Sequence, residues 1–531
     1  MLKKALKQYS TASLILIGSI LWSLTMVKSG WQYKYGIGFW GANGHDGVWH
    51  IALANSFSNL TYLNPVFSGF NTQNYHIGFD LLLALLNKLT QIPVSFLYFQ
   101  ILPPIFAILI GTLTYWFVQL LTKSKKSALL STFFVYFGGS MGFMLNGGES
   151  AFWSQQSIST LINPPFALSL IFILLGLVSL LKNKKFLAII FFGLLIQIKV
   201  YAGILVLGAL LVSGNFSVFF GSLILSGVIF LPFNRDAVTV IQWEPFWFLE
   251  TMMSYTDRLG WQRFYSAMTT YRMGHVWIKG LTAYAVAFLI FVFGNFWTRL
   301  LFLKDTFKNL DNIKIFLLSI IAAGIVIPTF FVQKGTPWNT IQFIYYSLFF
   351  ASILAGISVS SMKNYVIMIV VILTIPTTYL TLRDVYIPAR PPAKISNSEV
   401  EALNFLKSQP DGVVLTYPFD ADKAKEAINN PPRPLYLYES TAYVSAYSEK
   451  QLYLEDEVNL NIMGYKWNER RNFVLSWYKE PNKEAAREFL KNNNIKYVYW
   501  LKPQRALLGE SQLGLVKIFE NNECMIFSVG K

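Results

Sequence analysis

The chain contains almost no cysteine and unusually few charged residues. Cys524 is the one cysteine among 531 residues, which excludes an intramolecular disulfide and argues against a cysteine-based metal site. Charged residues make up 14% of the sequence, whereas soluble domains average about 25%. Hydrophobic residues make up 54%, so we expect most of the chain in a membrane rather than in water.

Acidic residues are scarcest before residue 398. Only 10 of the 28 aspartates and glutamates lie there, against 27 of the 44 lysines and arginines. The formal net charge of +16 invites a nucleic-acid-binding interpretation, which we reject. The basic residues form short clusters between apolar runs, and this is the pattern by which lysine and arginine orient membrane proteins.

The apolar runs predict a polytopic transmembrane helical bundle, mainly α in class, because a helix needs roughly 20 apolar residues to cross a bilayer core. We predict about eleven spans, at 11–28, 95–121, 127–145, 164–181, 185–199, 201–214, 216–232, 277–298, 315–332, 340–359 and 364–381.

Basic residues predict the orientation of these spans. No clear small-residue cleavage site follows the basic N-terminus, which indicates a retained signal-anchor with its start in the cytoplasm. The further basic clusters are predicted to be cytoplasmic as well: 123–126, 182–185 and 299–314. The C-terminal part is then outside the plasma membrane, together with the long loops 29–94, 146–163, 233–276 and 333–339.

Two segments of the first outer loop are predicted to be helices at the membrane interface. Residues 47–60 place apolar residues at near-helical spacing and Asn55, Ser56 and Asn59 elsewhere, which predicts an amphipathic helix. Residues 77–90 are apolar but too short for a span, which indicates an interfacial or re-entrant helix.

The composition changes after residues 388–392, where prolines are frequent and acidic residues become common. We divide the chain into a transmembrane domain, 1–390, and a small extracytoplasmic α/β domain, 391–531. Ser398 followed by Glu401 predicts a capping box at the start of a helix. Further elements are predicted from their periodicity: strands at GVVLTYP, IKYVYWL, LVKIFE and CMIFSV, and a helix at NKEAAREFLKNNN.

The sequence GANGHDGVWH in the first outer loop is the strongest candidate for chemistry. Its glycines predict a sharp turn, and His45 and Asp46 follow directly, at the predicted start of a helix. His50 comes four residues after Asp46, so the two side chains can share one helix face. An ionised aspartate at a helix start is a candidate general base. The alternative is that Asp46 only caps the helix and His50 is an interfacial polar residue.

A second cluster follows in the same loop, formed by Tyr75, His76 and Asp80. These residues are predicted either to bind substrate and support Asp46 or simply to anchor the short helix. The two clusters together contain nitrogen and oxygen ligands suited to a divalent cation. No tight metal-binding signature is present, so we expect no cofactor, with a divalent cation as the alternative.

The later outer segments offer cations for a lipid phosphate and polar groups for an acceptor sugar. The cationic candidates are Lys199, with Tyr201 near it, and Arg258, Arg263, Arg272 and Lys334, whereas Asn339 and Gln342 are predicted to line an acceptor groove. The alternatives are snorkelling to the lipid headgroups and anchoring at the membrane interface. In the C-terminal part, Tyr436, Tyr438, Tyr443, Tyr447 and Tyr453 are predicted either to stack on a glycan or to pack in the domain core.

This architecture resembles the C-type (GT-C) glycosyltransferases, through its first span, the long outer loop with an acid on an interfacial helix, about eleven spans and an outer C-terminal domain. The resemblance covers most of the chain as architecture but only Asp46 and its surroundings as a motif. It implies that Asp46 is the catalytic carboxylate and that the donor is a sugar on a polyprenyl-phosphate or polyprenyl-pyrophosphate carrier. Many members have two adjacent acids here, whereas this chain has His45 before Asp46.

We therefore predict an inverting glycosyltransferase that passes a lipid-linked sugar to a glycan, lipid or protein acceptor outside the membrane. No nucleotide-binding motif stands out, which argues against a soluble nucleotide-sugar donor. Two other classes are alternatives: a flippase or transporter of lipid-linked sugar, and a non-catalytic scaffold of the cell envelope. A transporter is expected to place charged residues within its spans, whereas here they lie mainly at one surface.

Overall fold

A computed structural model describes most of the chain, namely residues 2–145, 148–234, 241–333, 336–427, 429–479, 482–502 and 515–529. The described residues are mainly helical, and they form two compact units. Seven helices are long and apolar enough to cross a membrane, which indicates a membrane protein: Val94–Thr122, Pro164–Leu181, Phe216–Phe233, Trp277–Lys304, Asn312–Phe330, Pro337–Ser360 and Asn364–Tyr386.

The first unit contains most of these helices and comprises Met1–Thr25, Leu102–Pro232 and Thr239–Pro388. Strands Ile241–Trp243 and Phe331–Gln333 form a small antiparallel pair within it. Its α-helices are Leu2–Ser23, Leu102–Thr122, Lys125–Phe137, Pro164–Leu181, Lys185–Ile198, Val200–Val212, Phe216–Phe230, Trp247–Ser254, Gln262–Met273, Trp277–Phe296, Asn312–Phe330, Pro337–Ser360, Asn364–Thr374 and Pro376–Thr381.

Small residues allow helices of the first unit to approach closely. A Cβ atom on Gly356 would lie 2.2 Å from the backbone nitrogen of Ser131, so only glycine fits where these two helices cross. The hydroxyl of Ser131 donates to the carbonyl of Ile353 across the same contact. Close backbone packing of this kind, with a hydroxyl bonded between helices, is typical of helix pairs in membranes.

The predicted number of spans is not confirmed. The helix predicted at 127–145 ends at Phe137, because the chain continues through Gly138 and Gly139 into a separate 3-10 helix, Met141–Leu145. Three further apolar helices have only 13 or 14 residues, fewer than the roughly 20 that a perpendicular span needs: Ser10–Ser23, Lys185–Ile198 and Val200–Val212. The membrane orientation stays a prediction.

The second unit comprises Met26–Ile101, Phe233–Val238 and Ala389–Lys531, and therefore contains both the first outer loop and the C-terminal part. A four-stranded sheet joins them, in the order Gln32–Tyr33, Gly36–Phe39, Ala393–Ile395 and Arg433–Pro434. Phe39 pairs with Ala393 in antiparallel register, and Ala393 pairs with Arg433 in parallel register. The sheet thus places Arg433 two strands from the turn that leads to Asp46.

A second sheet confirms the four strands predicted in the C-terminal part. Its order is Val413–Leu415, Ile495–Leu501, Cys524–Val529 and Leu515–Glu520. The helices of the second unit are Asp46–Ser58, Gly78–Thr90, Val94–Phe96, Asn397–Ser408, Ala421–Ala427, Tyr443–Ser448, Glu457–Ile462, Trp467–Trp477 and Lys483–Asn492. The boundary predicted near residue 390 stays a prediction, as does the separate C-terminal domain.

The predicted capping box is two residues out of place. Ser396, not Ser398, caps helix Asn397–Ser408, and Glu399, not Glu401, completes the box. The Ser396 hydroxyl accepts from the Glu399 backbone N–H at 3.1 Å, and a Glu399 carboxylate oxygen accepts from the Ser396 N–H at 3.1 Å. Both serine–glutamate pairs have the same spacing, so spacing alone did not distinguish them.

Helix Asp46–Ser58 is not amphipathic as predicted. Ten of its 13 residues are buried, including the polar His50 and Asn55, because protein groups satisfy those side chains. Asn55, for example, donates to the carbonyl of Ala446 at 2.9 Å. Helix Gly78–Thr90 does have two faces, with Phe79 and Asp80 buried and an exposed row formed by Leu81, Leu85 and Leu89. This exposed leucine row supports the prediction of an interfacial helix.

Candidate active site

Asp46 is held at the end of a tightly packed turn. Strand Gly36–Phe39 leads into a 3-10 helix, Gly41–Gly44, and Asp46 is then the first residue of the next helix. Gly41 has a φ of +59°, which glycine adopts without steric cost. A Cβ on Gly44 would lie 3.0 Å from the Leu435 side chain, just after strand Arg433–Pro434. These glycines therefore let the turn pack against the C-terminal part of the same unit.

His45 and Asp46 form a hydrogen-bonded pair at the surface of the second unit. Nδ1 of His45 lies 2.8 Å from Oδ1 of Asp46, and the two side chains are 34% and 46% exposed. Burial lowers the pKa of His45, but the Asp46 carboxylate and the more distant Asp456 carboxylate outweigh it, so the His45 pKa is raised. The positive end of the helix dipole favours the ionised form of Asp46.

Asp456 supplies a second carboxylate to this site. It is buried and caps helix Glu457–Ile462, where its carboxylate accepts from the backbone N–H of Asn459 at 3.1 Å and from its side-chain amide at 2.7 Å. Burial raises the pKa of Asp456 to about 6, against these hydrogen bonds and the attraction of His45. The nearby Asp46 carboxylate contributes to this rise, because two like charges repel each other.

Arg433, in strand Arg433–Pro434, acts electrostatically on the His45–Asp46 pair. Its positive charge opposes protonation of His45 and so lowers the pKa of that side chain. The guanidinium lies over the Tyr438 ring at 3.7 Å and donates to the Leu437 carbonyl at 2.7 Å. These contacts fix the orientation of a fork-shaped donor suited to phosphate.

His50 and Asp80 form a buried pair between the two helices of the first outer loop. Nδ1 of His50 lies 2.7 Å from Oδ1 of Asp80, and their side chains are 7% and 0% exposed. The imidazole stacks on Tyr98 at 5.9 Å and meets the edge of Phe79 at 5.5 Å. His50 is therefore buried with its ring held by its neighbours, and its predicted catalytic role stays a prediction.

Tyr75 and His76 continue this cluster of rings. Their rings stack with centroids 4.4 Å apart, and Tyr75 meets the edge of Trp49 at 5.6 Å. The Nε1 atom of buried Trp49 has no hydrogen-bond partner among the described residues. All six predicted residues of the first outer loop thus belong to one unit. His45 and Asp46 form a partly exposed surface layer, Tyr75 and His76 are also partly exposed, and His50 and Asp80 are buried.

The other predicted residues belong to the first unit. Lys199 is buried and donates to the Asn163 side chain at 3.4 Å, with its ammonium 5.5 Å from the Tyr201 ring. The Tyr201 hydroxyl donates to Gln333 at 3.3 Å. Asn339 and Gln342 are half-buried, and the Gln342 amide donates to the Asn339 side chain at 3.2 Å. Lys334 lies outside the described residues.

The predicted arginines of the first unit have different surroundings. Arg258 donates to the Ser150 hydroxyl at 2.9 Å, and its guanidinium lies over the Trp153 ring at 4.9 Å. Arg272 pairs with Glu250 at 3.1 Å. Arg263 is exposed. Arg258 is thus the most buried of the three, and its roles toward substrate and lipid headgroups both stay predictions.

Sequence reasoning missed a buried polar network in the first unit. Arg299 donates to the Gln156 side chain at 2.7 Å, and the Gln156 backbone N–H donates to Glu149 at 3.0 Å. Burial raises the pKa of Glu149 to about 7, although Ser159, Gln156 and Arg299 each favour its ionised form. Because these groups satisfy one another, we assign the network to folding of the 148–163 loop. The residues were visible in the sequence, but no local spacing connects them.

Sequence reasoning also missed Asp456 and Arg433. Asp456 lies in the acidic run LEDEVN at 454–459, which was the available signal for it. Within the described ranges, no group of three or more histidines, cysteines, aspartates or glutamates is arranged to hold a metal ion. The expectation of no cofactor stays a prediction, as does its divalent-cation alternative. The surface layer can accept a proton at Asp46, modulate its basicity through His45, and offer one cation at Arg433.

No family model matches the sequence, and no curated protein matches it. Solved structures do resemble it. The chain aligns with the mycobacterial arabinofuranosyltransferase AftD at a TM-score of 0.52 and 10% identity, over 98% of this chain and 40% of AftD. This likeness shows the fold, and the chain spans less than half the length of AftD.

Two further structures are similar at lower scores. The oligosaccharyltransferase AglB of Archaeoglobus fulgidus aligns at a TM-score of 0.48 and 14% identity, over 93% of this chain and 69% of AglB. ArnT from Cupriavidus metallidurans aligns at 0.40 and 11% identity, over 98% of this chain and 97% of ArnT. AftD is a GT-C glycosyltransferase, so the predicted resemblance is confirmed at the level of the fold.

Proposed function

We propose that this protein transfers a sugar from a polyprenyl-phosphate or polyprenyl-pyrophosphate carrier to an acceptor on the outer face of the plasma membrane. The observation that carries the proposal is the half-exposed Asp46 carboxylate at a helix start, hydrogen-bonded to His45, in a chain with the GT-C fold. The acceptor is a glycan, lipid or protein hydroxyl.

Asp46 acts as general base in this proposal. Its carboxylate takes the proton of the acceptor hydroxyl while that oxygen bonds to the anomeric carbon of the donor sugar. The bond from the anomeric carbon to the carrier phosphate breaks at the same time, and the phosphate leaves with the electron pair. Attack opposite the leaving group inverts the anomeric configuration. A positioned base of this kind contributes about 10²–10⁴-fold to the rate.

His45 and Asp456 set the basicity of Asp46. A protonated His45 hydrogen-bonds the carboxylate and weakens it as a base, whereas a neutral imidazole leaves it stronger. Arg433 lowers the His45 pKa and so favours the neutral imidazole. The same guanidinium is suited to steady the departing phosphate, because a fixed donor at a developing negative charge lowers the barrier.

A lipid-linked donor is favoured over a soluble one for two reasons. The apolar helices indicate a membrane protein, in which a lipid carrier reaches a site at the interface by diffusing in the bilayer. The sequence also offers no phosphate-binding loop for a nucleotide sugar.

Proteoliposomes containing the purified protein and polyprenyl-phosphate sugars labelled in the sugar test this proposal. Transfer predicts that label leaves the lipid fraction and becomes covalently attached to an acceptor in a lysate of cell-envelope glycans, lipids and proteins. Movement of intact labelled lipid between leaflets without covalent transfer would instead identify a flippase. Neither result, with the lipid unchanged on both leaflets, would favour a non-catalytic scaffold.

A further inference from the structure

A small cleft in the second unit combines aromatic rings with carboxylates. Its wall is formed by residues from 416–419, 436–444 and 454–457, together with Tyr499 and Leu501. Four aromatic side chains on its wall are only partly buried, and they offer ring surface to a ligand: Tyr417, Phe419, Tyr436 and Tyr438. Of the five tyrosines noted in the sequence, Tyr447 and Tyr453 do not line this cleft.

The polar wall of the cleft consists largely of hydrogen-bond acceptors. Four carboxylates line it: Glu439, Glu455, Asp456 and Glu457. The Glu455 oxygens accept from the backbone N–H groups of Val444 at 2.9 Å and Ser445 at 3.1 Å, which leaves each oxygen a further lone pair. Arg471 neutralises Glu457 only. Burial raises the pKa of Glu455 to about 8, so at neutral pH this carboxyl is mostly protonated and can also donate. The negative charge of the wall then comes from the carboxylates of Glu439 and Asp456, and it favours a hydroxyl-rich neutral ligand over an anion.

Thr441 points independently to a missing ligand group. The residue is 5% exposed and lines the cleft, and its hydroxyl oxygen has no hydrogen-bond partner among the described residues. A buried hydroxyl without a partner costs about 1–3 kcal/mol, so such groups are normally satisfied by protein, water or ligand. A ligand hydroxyl in the cleft would satisfy it.

Asp456 links the cleft to the candidate active site. Its carboxylate lines the cleft and also acts electrostatically on both His45 and Asp46. Leu435, which precedes Tyr436 of the cleft wall, packs against Gly44 of the turn that leads to Asp46. From this juxtaposition we infer that the cleft between residues 416 and 457 binds the acceptor, and that the acceptor is a neutral sugar. The inference rests on the proposed function only in naming the ligand an acceptor.

The sugar binds with its apolar face on Tyr436, because the Arg433 guanidinium covers a face of the Tyr438 ring, and its hydroxyls bond to Glu455 and Asp456. Thr441 supplies the complementary donor and acceptor. A uronic acid or a phosphorylated sugar is rejected, because its negative charge would face the carboxylates of Glu439 and Asp456. This charge preference is what distinguishes the cleft from the phosphate-binding role of Arg433.

Saturation-transfer NMR on the full-length protein in lipid nanodiscs, free of glycoside detergent, tests the inference. The probes are the methyl glycosides of glucose, galactose and mannose, with methyl glucuronide as the anionic counterpart, all at millimolar concentration. At least one neutral glycoside should receive saturation and the glucuronide should not. Tyr436→Ala should weaken that binding about 3- to 10-fold, the value of an aromatic contact. Thr441→Val, which keeps the side-chain shape, should weaken it several-fold.

Two matched variants serve as controls. Tyr62→Ala removes an exposed tyrosine elsewhere in the same unit, and Thr269→Val removes a threonine hydroxyl outside the cleft, and both should bind as the wild type does. Thermal unfolding of each variant shows that the fold is intact. The inference is overturned if no neutral glycoside binds, if the cleft variants bind as well as the controls, or if the glucuronide binds equally.

Binding and transfer fail separately in this design. Neutral sugar that binds in a cleft-dependent way, without any transfer from labelled lipid, would leave the cleft established and overturn the transferase. Sugar transfer without cleft-dependent binding would support the transferase and overturn the cleft as the acceptor site.

Discussion

His50 and Asp80 hold the two helices of the first outer loop together: Nδ1 of His50 lies 2.7 Å from Oδ1 of Asp80, although the residues are 30 positions apart. Both side chains are buried. The pair therefore fixes the helix that begins with Asp46 against the helix that carries Asp80. The position of Asp46, the proposed base, thus depends on this buried hydrogen bond.

Removing either member of this pair should destabilise the second unit. His50→Phe and Asp80→Leu should each cost about 1–3 kcal/mol, the usual penalty when a buried polar group loses its partner. The double variant should lose less stability than the sum of the two single losses, because each single variant already breaks the same hydrogen bond. Thermal unfolding in detergent measures these effects. His275→Phe, at an exposed histidine, is the control and should be neutral. Strict additivity would show that the two residues act independently.

The His45–Asp46 pair predicts opposite effects of pH on activity and stability. Burial lowers the His45 pKa, but Asp46 and Asp456 raise it above its ordinary value of 6.5. The charged pair therefore stabilises the fold fully below pH 6.5, and this contribution is lost as pH rises through the folded pKa. Activity should rise over the same interval, because neutral His45 leaves Asp46 a stronger base.

The acid limb of the pH–rate profile, with unfolding measured in parallel, checks this prediction. His45→Asn keeps a side chain that can donate to Asp46 but cannot titrate. This variant should flatten both the acid limb and the stability change. An unchanged acid limb in His45→Asn would assign the titration to another group.

Asp456→Asn should stabilise the protein at neutral pH. Burial raises the folded pKa of Asp456 from 3.8 to about 6, so stability falls as pH rises from about 4 to about 6. Asparagine caps helices as well as aspartate and removes this penalty, which we expect to be worth about 1–3 kcal/mol at pH 7. At pH 4 the two proteins should be equally stable. Losing the negative charge should also lower the His45 pKa and move the acid limb to lower pH.

Hydropathy and periodicity predicted the elements of this fold better than the contacts of its site. Apolar runs predicted the long helices because span length is set by the bilayer, and alternating residues predicted the strands near Ile495–Leu501 and Cys524–Val529. The His45–Asp46 pair was accessible because its members are adjacent. Asp456 lies more than 400 positions from Asp46, and no local pattern encodes that proximity.

Two errors have the same physical origin. Helix Asp46–Ser58 was predicted to expose a polar face, but Asn55 bonds to Ala446 and the helix is buried. Polar residues on a helix indicate a solvent-exposed face only when no residue distant in sequence forms hydrogen bonds with them. Arg433 was missed because its relation to the site depends on strand pairing between Ala393–Ile395 and Arg433–Pro434.

Replacing Arg433 should affect both donor binding and the pH profile. Arg433→Gln removes a charge-assisted donor, so the KM for the lipid-linked donor should rise about 10-fold or more. It also removes the charge that lowers the His45 pKa, so the acid limb should move to higher pH. Arg433→Lys keeps the charge and should leave the acid limb in place while still weakening the donor site. A normal KM in Arg433→Gln would exclude a role in phosphate binding.

The central claim is that Asp46 is the base for sugar transfer, and the rate of transfer by Asp46→Asn in proteoliposomes tests it most directly. Asparagine keeps the size of the side chain, so the variant should fold and insert normally, and its kcat should fall about 10²–10⁴-fold. Asp422→Asn, at an exposed aspartate of the same unit, is the matched control and should transfer sugar at the wild-type rate. Near-normal transfer by Asp46→Asn would contradict the account.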